Sequence, residues 1–147
     1  MKCKYALRAL YRLTREYEKG PLLIAYLSEQ ERIPQKFLEA ILLQLKRTGI
    51  VDSRKGRGGG YLLAVSPNRI TLGAIVRAMD GPLSPLPCAR ENAKRPCNEC
   101  SDKRICETRL VMREVRDAIA GILDHTTLAQ VCSRVPEEGE RALDYTI

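Results

Sequence analysis

Tryptophan is absent from this 147-residue chain, and phenylalanine and histidine each occur once. No stretch reaches the roughly eighteen consecutive apolar residues of a transmembrane helix, so we expect no membrane partner. The first ten residues, MKCKYALRAL, lack the apolar core and the small-residue cleavage site of a secretory signal. We therefore expect a cytoplasmic protein, in which thiols stay reduced. For its six cysteines, this favours metal binding over a disulfide framework.

A recognisable catalytic site is also lacking. The sequence offers no convincing combination of a nucleophile, a base and a residue to orient them, which argues against an enzyme. The alternative from this other class is an enzyme or redox carrier that uses the cysteines alone. Its basic region would then serve some other partner.

Acidic residues are scarce in the first half of the chain. Residues 1–80 contain fifteen Lys and Arg against seven Asp and Glu, whereas residues 81–147 contain ten against eleven. The net charge of +7 therefore originates in the first half. Charged runs are often only solvated faces, but so one-sided an excess predicts a surface for nucleic acid.

Helix and turn signals begin in this basic half. Apolar residues at three-and-four spacing predict a helix over residues 4–17, and a short second helix is predicted over 22–30. A third is predicted from Pro34, which a first turn tolerates, to Gly49, which can adopt the left-handed cap conformation. Two helices joined by a brief turn, the second with a polar exposed face, are typical of a helix-turn-helix.

A glycine-rich basic loop follows the third helix. Strand-like residues 50–53 and 61–64 flank the loop RKGRGGG, a pattern that predicts a small β-wing. Glycines let the backbone approach phosphates, and Arg57 can then extend into a narrow minor groove. A hairpin tip that is basic without binding DNA is the alternative. The predicted DNA contacts are Arg8, Gln35, Lys36, Glu39, Ala40, Arg54, Lys55, Arg57, Gly58 and Gly59.

The second half of the chain contains a long amphipathic helix pattern. It follows a fourth helix, for which Thr71 is the predicted N-cap. So long a helix has little of its own chain to pack on, so we expect it to pair with a second copy in a homodimer. The alternative is that this helix folds back on the winged helix-turn-helix part of its own chain, residues 1–81, which we call the head. The predicted parts are a winged helix-turn-helix domain over 1–81, a cysteine-rich loop over 82–106, a dimerisation helix and short terminal helix over 103–133, and a flexible tail over 134–147. The expected fold class is mainly α with a small β-wing.

Four of the six cysteines fall within nineteen residues, spaced C-x8-C-x2-C-x5-C. They are the predicted metal ligands Cys88, Cys97, Cys100 and Cys106. Four thiolates suit either an iron–sulfur cluster or tetrahedral zinc, and the spacing does not choose between them. Uncoordinated thiols acting as a redox pair are the third possibility, since a C-x2-C pair has a lowered thiol pKa.

These residues together resemble the Rrf-type winged helix-turn-helix regulators of bacteria, a family that includes regulators of iron–sulfur, nitric-oxide and cysteine metabolism. The matching residues span nearly the whole chain, and the wing sequence GGGYLL is the most specific of them. They are Tyr5–Leu10, Ile33–Pro34, Phe37–Glu39, Leu45–Gly49, Gly58–Leu63 and Thr127–Ala129.

The resemblance implies a homodimeric transcription factor that binds operator DNA. The helix from Pro34 would lie in the major groove, and the loop around Arg57 in the minor groove. Glu39 corresponds to a base-discriminating glutamate of some members, and Lys36 lies beside it.

In the cluster-binding members of the family three cysteines bind the cluster, and their positions resemble those of Cys88, Cys100 and Cys106 in this chain. The fourth ligand varies and is in some members a histidine, where this chain has Arg109. Arginine cannot ligate, so Cys97 is expected to take that role. We expect a [4Fe–4S] rather than a [2Fe–2S] cluster, with zinc as the alternative. Its state would alter DNA affinity by reordering the loop that precedes the dimerisation helix.

Cys3, Cys132 and His125 lie outside this pattern. Both cysteines are interpreted as buried or incidental thiols. In at least one relative the N-terminal region donates a ligand to the partner subunit, which leaves Cys3 as a possible contributor. His125 is interpreted as a helix-terminal histidine that the helix dipole favours.

Overall fold

The computed structural model describes residues 2–93 and 106–135. Within them the chain forms six α-helices, a two-stranded sheet and two short 3-10 turns. The helices are α1 (Lys2–Arg15), α2 (Ile24–Glu31), α3 (Gln35–Arg47), α4 (Leu72–Asp80), α5 (Glu107–Leu123) and α6 (Leu128–Arg134). The strands are β1 (Val51–Arg54) and β2 (Gly60–Leu63), and the 3-10 turns are Pro67–Arg69 and Pro87–Ala89. The expected class, mainly α with a small β-wing, is confirmed.

The sheet is an antiparallel hairpin whose register places Val51 opposite Leu63 and Arg54 opposite Gly60. A third segment joins it at one point, because Leu22 and Tyr61 exchange two backbone hydrogen bonds of 2.8 Å. The second helix therefore begins at Ile24 and not at residue 22 as predicted. The first helix is likewise displaced, running over Lys2–Arg15 instead of 4–17.

The ends of the other helices follow local rules. Gly49 has φ +76° just after α3, and Ile50 N–H donates to Leu45 O over 3.1 Å, which is the predicted left-handed termination. Thr71 caps α4 by accepting from Ala74 N–H at 3.2 Å. Thr127 caps α6 in a reciprocal capping box with Gln130.

One hydrophobic core holds α1 to α4 and the wing together. Its central side chains, among them Leu10, Leu38, Ile41 and Ile75, have no exposed surface. Leu128 of α6 is fully buried in the same core. The last helix therefore packs back on the head against α1, an arrangement that the residue pattern did not predict.

The long helix α5 stands apart from this core. Within the described part of the chain none of its residues is buried, and at 1.5 Å per residue it is about 25 Å long. Its C-terminal end is tied to the head where Leu72 N–H donates to Thr126 O at 2.8 Å and Leu128 N–H to Ile70 O at 2.9 Å. Among residues 2–93 and 106–135, no helix is both long and apolar enough to span a membrane.

Candidate functional site

One face of α3 is buried and the other is open to solvent. Leu38, Ile41, Leu42 and Leu45 pack in the core. The exposed residues of the helix are Gln35, Lys36, Phe37, Glu39, Ala40, Leu43, Lys46 and Arg47. The four contacts predicted on this helix, Gln35, Lys36, Glu39 and Ala40, therefore share one accessible surface.

The predicted contact Arg8 lies in a different environment. Its guanidinium donates to the backbone oxygen of Glu31, at the C-terminal end of α2, and its Nε is 3.6 Å from the Glu31 carboxylate. Arg12 Nε lies 2.9 Å from the same carboxylate. Cations at a helix C-terminus are favoured by the exposed carbonyls there. Arg8 thus holds α2 against α1, with its side chain about one-third exposed.

The wing presents its basic residues to solvent, with Arg54, Lys55, Arg57 and Gly58 all exposed. Gly59, also predicted to contact DNA, is buried beneath the turn. Its N–H donates to Gly56 O at 3.0 Å, and a Cβ at this position would lie 2.3 Å from Arg54 O. A glycine is therefore required at Gly59 by the close approach of the two backbones.

Lys46 links α3 to the wing, a contact that the sequence did not indicate. Its ammonium group donates to Ser53 Oγ and lies 3.5 Å from the Asp52 carboxylate. The Ser53 N–H, which donates to Asp52 at 2.7 Å, lowers the pKa of Asp52, and Lys46 lowers it further. The wing and α3 are thus joined into one surface.

Two of the predicted metal ligands lie in the described part of the chain. Cys88 is in the 3-10 turn Pro87–Ala89, and Cys106 is the N-cap residue of α5. Both are half-buried free thiols. Cys97 and Cys100 lie outside the described residues. Among the described side chains there is no group of three or more Cys, His, Asp and Glu placed to hold a metal.

Arginines of α5 hold the segment that carries Cys88. Arg109 Nε donates to Cys88 O at 3.0 Å, and Arg116 Nη1 donates to Ala89 O at 2.7 Å. Arg113 lies between these two arginines on the helix, and its buried Nε has no hydrogen-bond partner among the described residues. Arg109 belongs to the first turn of α5, so Cys88 lies near the N-terminal end of this helix, where Cys106 is the N-cap residue.

The two remaining thiols are Cys3 in α1 and Cys132 in α6. Cys132 Sγ is 3.9 Å from Tyr11 O, and Cys3 packs against the core. Burial raises the pKa of both thiols, so both stay protonated at neutral pH. His125 Nδ1 is 2.8 Å from Gly121 O at the C-terminal end of α5, in agreement with its interpretation as a helix-terminal residue.

Comparison with known proteins places this architecture among transcriptional regulators. The CymR regulator of Bacillus subtilis, described as a global cysteine regulator, has a similar structure with a TM-score of 0.76 and 28% identity, covering 92% of this chain and 96% of that one. T. potens IscR gives a TM-score of 0.72 with 26% identity, covering 100% and 91%.

Sequence comparison agrees with the structural one. An rrf2-like HTH-type transcriptional regulator of Rhodobacter capsulatus is 39% identical over 130 residues, covering 86% of this chain and 87% of that protein. CymR of Bacillus subtilis is 29% identical over 144 residues, covering 98% and 96%. These relatives are regulators, which confirms that the chain is not an enzyme. The family model Rrf2, described as an iron-dependent transcriptional regulator, matches residues 1–134, and the chain therefore belongs to the Rrf2 family of transcriptional regulators.

Proposed function

We propose that this regulator binds operator DNA as a homodimer, and that an iron–sulfur cluster held by four cysteines modulates its DNA affinity. The observation that carries the proposal is the bond from Arg109 to Cys88 O, which fastens the cysteine segment to the first turn of α5. The other end of that helix is tied to the DNA-reading head through Asp124 and Arg77. A change at the cysteines can therefore reach the head through one rigid element.

The DNA surface of this proposal consists of α3 and the wing. The first half of the chain carries its excess of positive charge, and the exposed wing cations Arg54, Lys55 and Arg57 extend the surface of α3. Phosphate neutralisation by such cations provides affinity, and side chains of α3 in the major groove provide sequence choice. The family is one of transcriptional regulators, in agreement with this assignment.

The proposed dimer interface is the outer face of α5. Four large apolar side chains there are exposed to solvent in the single chain: Leu110 by 55%, Val111 by 52%, Val115 by 37% and Ile122 by 68%. Contiguous apolar side chains along a helix of this kind are typical of a surface that another protein covers. A second copy of the same helix, related by a twofold axis, would bury them.

The cysteine site fits a cluster in its donor chemistry. Cys88 and Cys106 are free thiols at the cationic end of α5, and the C-x2-C pair Cys97 and Cys100 lies in the chain between them. These four would hold the cluster, a [4Fe–4S] form in preference to [2Fe–2S], and it would supply a centre sensitive to oxidation and iron supply. The iron dependence in the description of the family favours iron over zinc.

Purification without oxygen, followed by an absorption spectrum and iron, sulfide and zinc analysis, tests the cofactor. We expect a coloured protein containing iron and sulfide. Cys88→Ser should lose both, because it removes a ligand. Cys132→Ser, which alters a half-buried thiol of α6, should retain them. A colourless wild-type protein without iron, or a Cys88→Ser variant with full iron content, would contradict the cluster.

A regulator of the same fold without a cluster is the second candidate. Its support is the similarity to CymR, a cysteine regulator, along 98% of this chain. Zinc on the four thiols, thiol oxidation or a protein partner would then provide the signal. A metal-free protein that still binds its operator would identify this candidate. A protein that contains zinc but no sulfide would identify the form of it in which the four thiols bind zinc.

A further inference from the structure

The middle of the outward face of α3 is apolar. Lys36, Ala40, Leu43 and Arg47 recur at intervals of four, three and four residues, which aligns them in one stripe along the helix. Helical geometry places this stripe opposite the buried residues from Leu38 to Leu45. The stripe thus has a cation at each end and two apolar side chains between them.

Leu43 is the larger of the two apolar residues, and 49% of its surface is exposed. The core that buries Leu42 and Leu45 does not include it. Two of its charged neighbours on the helix have contacts within the chain, since Lys46 donates to Ser53 and Glu39 accepts from Gln35 at 3.5 Å. Leu43 therefore remains as an apolar side chain on the surface that the proposed function assigns to the major groove.

Only one base offers an apolar group in that groove. Thymine carries a C5-methyl group at the edge of the major groove, whereas the other bases present only hydrogen-bond donors and acceptors there. Lys36 and Arg47, at the two ends of the stripe, match the phosphates that border the groove. Charge complementarity thus points to DNA as the occupant, and the apolar centre points to thymine.

We propose that Leu43, with Ala40 beside it, reads the methyl group of a thymine in each operator half-site. The inference rests on the proposed placement of α3 in the major groove. It adds a specificity-determining contact that depends on apolar packing and not on hydrogen bonds.

Exchange of thymine for deoxyuridine tests this contact, because it removes the methyl group and leaves every hydrogen-bonding group in place. A binding site is first selected from random duplexes with the wild-type protein, and each thymine is then replaced in turn. At one thymine per half-site we expect the affinity of the wild-type protein to fall about fourfold, the value of one buried methyl group. Leu43→Ala should bind the thymine and uracil duplexes equally at that position.

The matched control is Leu23→Ala, the same change at an exposed leucine outside α3. It should keep the preference for thymine. Equal binding of all thymine and uracil duplexes by the wild-type protein would overturn the inference, while selection of a binding site would still support DNA recognition. A full thymine preference in Leu43→Ala would also overturn it, because another residue would then read the methyl group. Failure to select any duplex would instead remove the proposed function on which the inference rests.

Discussion

At the scale of single residues, a glycine and an ion pair define the junction between the head and α5. Arg77 in α4 contacts both carboxylate oxygens of Asp124, one of them at 2.9 Å. A Cβ on Gly73 would lie 1.8 Å from Asp124 Oδ1 and 2.9 Å from Arg77 Nη1. The missing side chain at Gly73 thus leaves the space through which the carboxylate reaches the arginine.

Substitution Gly73→Ala should break this ion pair, because the new methyl group would occupy the position of the carboxylate. We expect a loss of about 1–2 kcal/mol in the free energy of unfolding, measured by denaturant titration. Gly121→Ala is the control, since a Cβ added to Gly121 in α5 would meet no atom within 4 Å and alanine favours helix. A Gly73→Ala protein as stable as Gly121→Ala would contradict this account of the junction.

The same ion pair gives the junction a dependence on pH. The hydrogen bonds from Arg77 lower the pKa of Asp124. The pKa of an aspartate in the unfolded chain is about 3.9, and the pKa of Asp124 in the folded protein is lower. The ion pair therefore stabilises the fold fully at a pH above the unfolded-state pKa, and this stabilisation is lost as the pH falls through the folded-state pKa. The difference in melting temperature between wild type and Asp124→Asn should therefore be constant near neutral pH and shrink below about pH 4. A difference that stays unchanged in acid would be inconsistent with this ion pair.

At the scale of elements, α3 and the wing form one surface, to which the proposed function assigns two kinds of DNA contact. Lys46 joins the C-terminal part of α3 to β1, so the two elements keep a common orientation. The side chain of Glu39 lies on the helix, and that of Arg57 on the exposed loop of the wing. A phosphate or minor-groove contact changes affinity, whereas a base contact changes sequence choice.

Substitutions at these two positions should therefore have different effects, measured by fluorescence anisotropy at several salt concentrations. Arg57→Ala should weaken binding to all sequences and reduce the slope of log affinity against log salt by about one. Glu39→Ala should relax base choice at one position, with discrimination reduced by about 1–3 kcal/mol and an unchanged salt slope. Unchanged binding by both variants would show that the reading surface lies elsewhere on the molecule.

At the scale of the whole molecule, α5 connects two parts of the protein and exposes an apolar face. Its N-terminal end holds the segment of Cys88, its C-terminal end holds the head, and its outer face is apolar and exposed. If a second copy covers that face, the orientation of the two heads depends on how the two helices pack. The spacing of two operator half-sites then makes DNA affinity sensitive to that packing.

The homodimer is tested by Ile122→Glu, which places a charge at the most exposed apolar side chain of α5. We expect a monomer in sedimentation equilibrium and a large loss of operator affinity, because burial of an unpaired carboxylate is unfavourable. Glu114→Gln, a change at an exposed polar position of the same helix, should leave the dimer intact. A dimer that persists in both Ile122→Glu and Leu110→Glu would exclude this face as the interface.

The features that the sequence predicted well depend on neighbouring residues. The left-handed end of α3 at Gly49, the cap at Thr71 and the exposed position of Glu39 follow from rules that act within a few residues. The hairpin of the wing was also predicted, to within one residue at each strand, because its glycines and its strand-like flanks are adjacent in the chain.

Helix boundaries were less accurate where a distant partner intervenes. Leu22 is apolar enough to begin a helix, but its backbone groups pair with Tyr61, 39 positions away in the chain. Arg8, which stays a predicted DNA contact, also donates to the backbone oxygen of Glu31 at the end of α2, a contact that the sequence did not indicate. No local rule predicts such pairings, because they arise only when whole elements pack together.

By itself, the sequence determined the winged helix-turn-helix class, the exposed face of α3 and the grouping of four cysteines within residues 88–106. Helix periodicity, glycine placement and charge distribution can be read from neighbouring residues, so these features can be predicted without the tertiary structure. Only the tertiary structure decided that Leu128 completes the core of the head, that Lys46 joins the wing to α3, and that Arg109 holds Cys88 at the start of α5. These contacts form only when elements that are distant in the chain pack together. Burial of the common hydrophobic core favours that packing, and no single segment contains the information for it.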